Sequence, residues 1–192
     1  MPQTQLYLIR HGQTDWNLRA MLQGRTDIPL NETGRRQAME ARERLAGVHF
    51  DAVYSSPLRR AMDTAQLVSG WPGEKICPDE RLTEVAFGPY EGKDPHTLGP
   101  AFACFFTDPE AYRPPQGAES LQSALERTGD FLALPPKSIR ARPCWWRGTA
   151  RRSMPCSQRR WRIRWTSSGP SIWTIAGWRC SPGTRAPRAA GG

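Results

Sequence analysis

A short apolar run, QLYLI (5–9), breaks off abruptly into RHG (10–12). Such a run reads as a buried strand feeding a loop. The segments beyond it set the class of fold. GRRQAMEARERLAG (34–47) carries Ala38, Ala41, Leu45 and Ala46 at helical spacing, with Gly47 placed to cap it. DAVYSS (51–56) reads as a second strand and LRRAMDTAQLVSG (58–70) as a helix. ESLQSALERTGDFLAL (119–134) is an amphipathic helix with Leu121, Leu125 and Phe131 toward one side. Strands alternating with helices predict an α/β fold, a parallel sheet with helices on its faces. Such sheets carry their chemistry at the carboxyl ends of strands, where RHG sits.

After Leu134 the pattern dissolves. PPKSIRARP resembles a linker, and the terminal SPGTRAPRAAGG is expected to be disordered. Charge divides the chain at the same place. The net charge of +9 hides two unlike parts. Residues 1–130 hold 14 Lys and Arg against all 18 Asp and Glu; residues 131–192 hold 13 Lys and Arg and no acid. With acids at about 12% of an ordinary chain, a run this long without one has a chance of roughly 4 in 10,000. The tail also holds six of the eight tryptophans.

The length suits one domain with a sizeable core. The N-terminus lacks the basic and apolar regions of a secretory signal, and no 18-residue apolar run exists. These features predict a cytoplasmic protein without a membrane span. The five cysteines are odd in number and form no CxxC pair, which fits a reducing compartment and argues against zinc.

A lone histidine after a strand is usually structural, but His11 has company in RHGQTDWN (10–17). Arg10 precedes it, Thr14 and Asn17 follow, and Gly12 lets the backbone approach a ligand closely. A guanidinium beside an imidazole suits a dianionic phosphate: it neutralises charge while a neutral ring nitrogen attacks phosphorus. SSPLRRAMDTA offers Arg60 just after the second strand. LTEVAFGPYEG (82–92) offers Glu84, with Gly88, Glu91 and Gly92 behind it. Alone, an Arg-Arg pair is usually a solvated helix face, and one loop glutamate proves little.

In this order the pieces resemble the histidine phosphatase superfamily, which includes cofactor-dependent phosphoglycerate mutase. The resemblance runs from about residue 5 to about 132 through LIRHGQTDWN, LQGRTDIPLNETGRRQA, DAVYSSPLRRAMDTA, RLTEVAFGPYEG and QGAES. It implies a three-layer sandwich with a mostly parallel sheet and helices on both faces. It also implies roles. His11 would be the nucleophile that becomes phosphohistidine. Arg10 and Arg60 would clamp the phosphoryl oxygens, and Asn17 with the Gln23-Gly24 pair would hydrogen-bond phosphate or substrate. Glu84 would protonate the leaving oxygen and then activate water. Phosphoryl transfer of this kind needs positioning and charge stabilisation, and neither a metal nor a cofactor is required.

The family's pocket carries a second histidine in a late His-Gly strand, and here the resemblance fails. The remaining histidines, His49 and His96, read as surface residues. A shift of reading frame accounts for the loss. Re-read one base upstream, CWWRGTA (144–150) permits Leu-Val-Ala-Gly-His-Gly, followed by text compatible with an apolar helix and a strand. The expectation is therefore a phosphatase-like domain over 1–132 and an out-of-frame basic tail over 133–192, incomplete or disordered, with the slip between about 132 and 141. The implied reaction is hydrolysis of a small phosphorylated metabolite, a phosphomonoester, with phosphoglycerate mutase as the alternative. The absent histidine and missing strands predict little or no phosphatase activity and poor solubility. A rival of another class makes the chain a decayed product or its tail a nucleic-acid-binding module, arginines neutralising phosphates and tryptophans stacking on bases.

Overall fold

The computed structural model describes residues 5–133 and 172–176. The tail segments 134–171 and 177–192, with the linker, the shifted frame and the nucleic-acid reading, lie outside the described residues. The chain divides into two units, Met1–Ile9 with Arg151–Gly192, and Arg10–Ala150.

In the first unit, β1 (Gln5–Ile9) runs antiparallel to β4 (Ile172–Ala176), Gln5 opposite Ala176 and Ile9 opposite Ile172. Two expectations are corrected. β1 is only partly buried, Leu8 being 39% exposed. The sequence pattern predicts no element at Ile172–Ala176, yet IWTIA is rich in the β-branched and aromatic residues that suit a strand.

The second unit is α/β. α1 (Asp15–Leu18) starts at Thr14, whose side chain accepts from the Asn17 N–H while the Asn17 side chain accepts from the Thr14 N–H. α2 (Glu32–Arg44) is capped by Asn31, whose side chain accepts from Gly34 N–H at 2.9 Å. Glu32 in its first turn and Arg42 and Arg44 in its last complement the helix dipole. It stops three residues short of Gly47, which takes a positive φ of 88° in the turn after the helix. β2 (Tyr54–Ser55) leads into α3 (Arg59–Ser69), closed by Gly70 in the left-handed conformation. α2 and α3 pack together, with an Arg35–Asp63 ion pair of 3.2 Å between them.

β2 pairs in parallel with β3 (Cys77–Pro78), as expected for this class of fold, though both strands are only two residues long. α4 (Pro100–Thr107) and α5 (Leu121–Leu132) come next, α5 capped by Ser120. An aromatic core of Phe87, Phe102 and Tyr112 joins the loop before α4 to α4 and the loop after it, with Phe105 and Tyr90 against it. α5 docks on the turn Glu80–Leu82: Arg127 donates to the Arg81 carbonyl at 2.9 Å, and the Arg81 guanidinium lies 5.4 Å from the Phe131 ring centre.

Among the described residues no helix is long and apolar enough to cross a membrane, and no cluster of metal-ligating side chains forms. Among the described residues Cys104 is a free thiol.

Candidate active site

RHG leaves the end of β1 as a loop rather than a helix, and the loop is pinned at Gly12. Gly12 N–H donates to Thr64 Oγ1 on α3 at 3.2 Å, and the backbone of Gly34 fills the space a Gly12 side chain would occupy. His11 Nδ1 lies 2.8 Å from the Gly12 carbonyl. A carbonyl can only accept, so Nδ1 carries the proton and Nε2 keeps its lone pair. Burial pushes the imidazole below its ordinary pKa. The Arg60 and Arg10 charges push the same way, while the Gly12 hydrogen bond and Glu84 oppose without reversing the shift. The ring is therefore held toward its neutral form, with Nε2 unprotonated.

Arg60 is 1% exposed on the first turn of α3. Its two terminal nitrogens donate to the Thr26 and Gly24 carbonyls at 2.9 and 2.7 Å, which spends two of its five N–H groups and aims the fork. Burial lowers its pKa, which Glu84, Asp27 and Glu91 oppose. A guanidinium nevertheless stays charged. Arg10 is exposed. Glu84 is also exposed, one oxygen accepting from the Val85 N–H at 2.9 Å, and its charge acts on both His11 and Arg60.

The structure thus brings His11, Arg10, Arg60 and Glu84 into one electrostatic neighbourhood. Gln23 is buried, its carbonyl accepting from Thr14 Oγ1 at 2.8 Å, which leaves the amide nitrogen as its donor. Asn17 Oδ1 accepts from the Thr14 N–H at 3.1 Å, leaving its amide nitrogen likewise. Gly24 has a φ of 52°, and Glu91 occupies the space where a side chain would project. Its carbonyl serves Arg60, so it shapes the clamp from behind.

Glu91 is a residue whose importance sequence reasoning missed. Its carboxylate accepts from the N–H groups of Arg25 at 3.0 Å, Thr26 at 2.9 Å and Phe87 at 3.1 Å, and from the Thr26 hydroxyl. These bonds hold its pKa below the ordinary range against the opposing effect of burial. One side chain thereby ties the loop that orients Arg60 to the loop that bears Glu84. The signal available in sequence was a glutamate between two glycines, FGPYEG, both of which adopt positive φ. On its far side the same loop rests on QGAES: Glu119 N–H donates to the Ala86 carbonyl at 2.8 Å, and Gly88 abuts the Gly117–Ala118 backbone. Glu119 in turn binds Arg127 at 2.7 Å and Arg25 at 3.2 Å.

His49 and His96 are exposed, His96 on the turn Pro95–Thr97. Among the described residues no hydrogen bond joins either ring to His11, Arg10, Arg60 or Glu84.

The sequence profile of the histidine phosphatase superfamily (branch 1) matches residues 6–141. "Uncharacterized phosphatase PhoE" of Bacillus subtilis is 43% identical over 89 residues, 46% of this chain and 46% of that protein. "Probable phosphoglycerate mutase GpmB" of Cronobacter sakazakii is 36% identical over 143 residues, 70% of this chain and 66% of that protein. The solved structure of Bacillus stearothermophilus YhfR superposes with a TM-score of 0.61 at 39% identity, covering 67% of this chain and 65% of that one. The match to PhoE thus spans about half of that relative's length.

Proposed function

Because this chain belongs to the histidine phosphatase superfamily, we propose that it descends from a phosphomonoester phosphatase working through a phosphohistidine at position 11. One observation carries the proposal: His11 commits Nδ1 to a backbone carbonyl and leaves Nε2 unprotonated among two arginine charges and a carboxylate. Nε2 attacks phosphorus, and the bond from phosphorus to the leaving oxygen breaks in line. Arg10 and Arg60 stabilise the equatorial oxygens, with the amide nitrogens of Asn17 and Gln23 as further donors. The Glu84 carboxylate takes up the proton carried by a phosphomonoester monoanion and passes it to the leaving oxygen. The same carboxylate then takes a proton from water, which attacks the phosphohistidine and releases inorganic phosphate.

The substrate is a small phosphorylated metabolite, a charged solute retained in the cytoplasm, where we place the protein. Phosphatase is preferred to mutase because the stretch resembling PhoE is the more identical one. The mutase reading is kept by the broader match to a protein named as a mutase. Release of inorganic phosphate from a phosphomonoester panel supports the first; interconversion of 2- and 3-phosphoglycerate without such release supports the second. In either case the phosphatase portion is residues 1–132, and residues 133–192 are text read out of frame. The literal chain, lacking a second pocket histidine, turns over slowly. A coding sequence that gives no His-Gly strand one base upstream would remove the frame account. Loss of nucleic-acid affinity on deleting residues 135–192 would favour the binding-module alternative.

A further inference from the structure

Gly12 joins two peptide groups, and each is held from outside the loop. The His11–Gly12 peptide directs its N–H to Thr64 Oγ1 at 3.2 Å. Thr64 is buried on α3, and its hydroxyl donates to the Arg60 carbonyl one turn earlier at 2.7 Å. A hydroxyl has one proton, so toward Gly12 it can only accept. The Gly12–Gln13 peptide directs its N–H to Gln37 Oε1 on α2 at 2.9 Å, while its carbonyl accepts His11 Nδ1 at 2.8 Å. That peptide is polarised at both ends, and hydrogen bonds in such a chain strengthen one another. Gly34 closes the remaining side by packing on Gly12.

We infer that Thr64 and Gln37 are positioning residues for phosphoryl transfer: by fixing the two peptides that flank the Gly12 α-carbon, they hold the Gly12 carbonyl against His11 Nδ1 and keep Nε2 as the free nucleophile. The inference rests on His11 being the nucleophile. Neither residue touches a reacting atom. Thr64 also places the tautomer lock one turn from Arg60 on the same helix, so one rigid element sets both nucleophile and clamp.

The test uses the full chain with ¹⁵N-labelled imidazoles, its Nδ1–H and Nε2–H tautomers read by magic-angle-spinning NMR, which serves soluble and sedimented protein alike. The His11→Asn spectrum assigns the His11 signals. Thr64→Val removes a buried acceptor; Gln37→Leu removes an exposed one and leaves the core untouched; Thr64→Ser and Gln37→Glu keep an acceptor in place. The parent, Ser and Glu proteins should show His11 as Nδ1–H. The Val and Leu proteins should show a several-fold rise in Nε2–H, and a roughly tenfold slower phosphorylation of His11 by phosphoramidate, the lower end of what outer partners of metal-bound histidines contribute. An Nε2–H parent, or an unchanged tautomer ratio in both Thr64→Val and Gln37→Leu, overturns the inference. Tautomers that shift as expected in a protein whose His11 accepts no phosphoryl group support the clamp and overturn the nucleophile reading instead.

Discussion

At the scale of single residues the molecule is arranged around a neutral His11. Its lowered pKa has a signed consequence. As pH falls below the ordinary imidazole value of about 6.5, the unfolded chain takes up a proton that the folded site resists. This site therefore costs no stability above that pH and progressively more as pH drops toward the depressed folded value. His11→Gln should flatten the pH dependence of the urea midpoint between about pH 7 and pH 5. A slope unchanged by the substitution would show that the ring is not held neutral. Gly24 makes a second prediction. A side chain there meets both the 52° φ and the Glu91 carboxylate. Gly24→Ala should destabilise by about 1–3 kcal/mol and slow phosphorylation of His11 by loosening the Arg60 fork; chemical denaturation and a labelling time course measure the two effects. His11, Arg10, Arg60 and Glu84 were singled out in sequence chiefly because the motifs that bear them, taken in order, resemble the histidine phosphatase superfamily. Glu91, Thr64 and Gln37 were not, because each binds at least one backbone group 24 to 66 positions away, and only tertiary contact discloses those partners.

At the scale of elements, local rules explain most of what forms. Asn31 is the plainest case: Asn31→Ala removes the acceptor for Gly34 N–H and should cost about 1 kcal/mol in thermal or urea unfolding. The loss should also reach the site, since Gly34 is the surface against which Gly12 packs. Three helices were readable because each shows an apolar period. α4 was not, because PAFACFFT is apolar on nearly every face; its start signal, Gly99 followed by Pro100 at the first helical position, was available. β3 escaped because two residues ending in proline carry no alternation, and the parallel bond from Asp79 N–H to the Ser55 carbonyl at 2.8 Å depends on where α3 returns the chain. β1 was found as a strand, but neither its exposure nor its antiparallel partner is deducible from five residues of sequence.

At the scale of the whole molecule, the division of acids and the end of the apolar pattern coincide near residue 130, and the family profile ends close by at 141. If the tail is read out of frame, a chain whose last third is restored one base upstream should release phosphate roughly 10²–10³-fold faster than the 192-residue chain, the usual worth of one preorganised donor to a transition state. Equal rates would mean that the tail as written supplies whatever the second histidine supplies elsewhere. The central claim, however, concerns the nucleophile and can be tested without turnover. The full chain is exposed to phosphoramidate, and phosphohistidine is mapped by mass spectrometry of its peptides. The account predicts that His11 is phosphorylated well before His49 and His96, through Nε2, and that Arg60→Met abolishes the preference. Labelling of His49 or His96 at the same rate as His11, or preferential labelling of His11 that survives loss of Arg60, would contradict it.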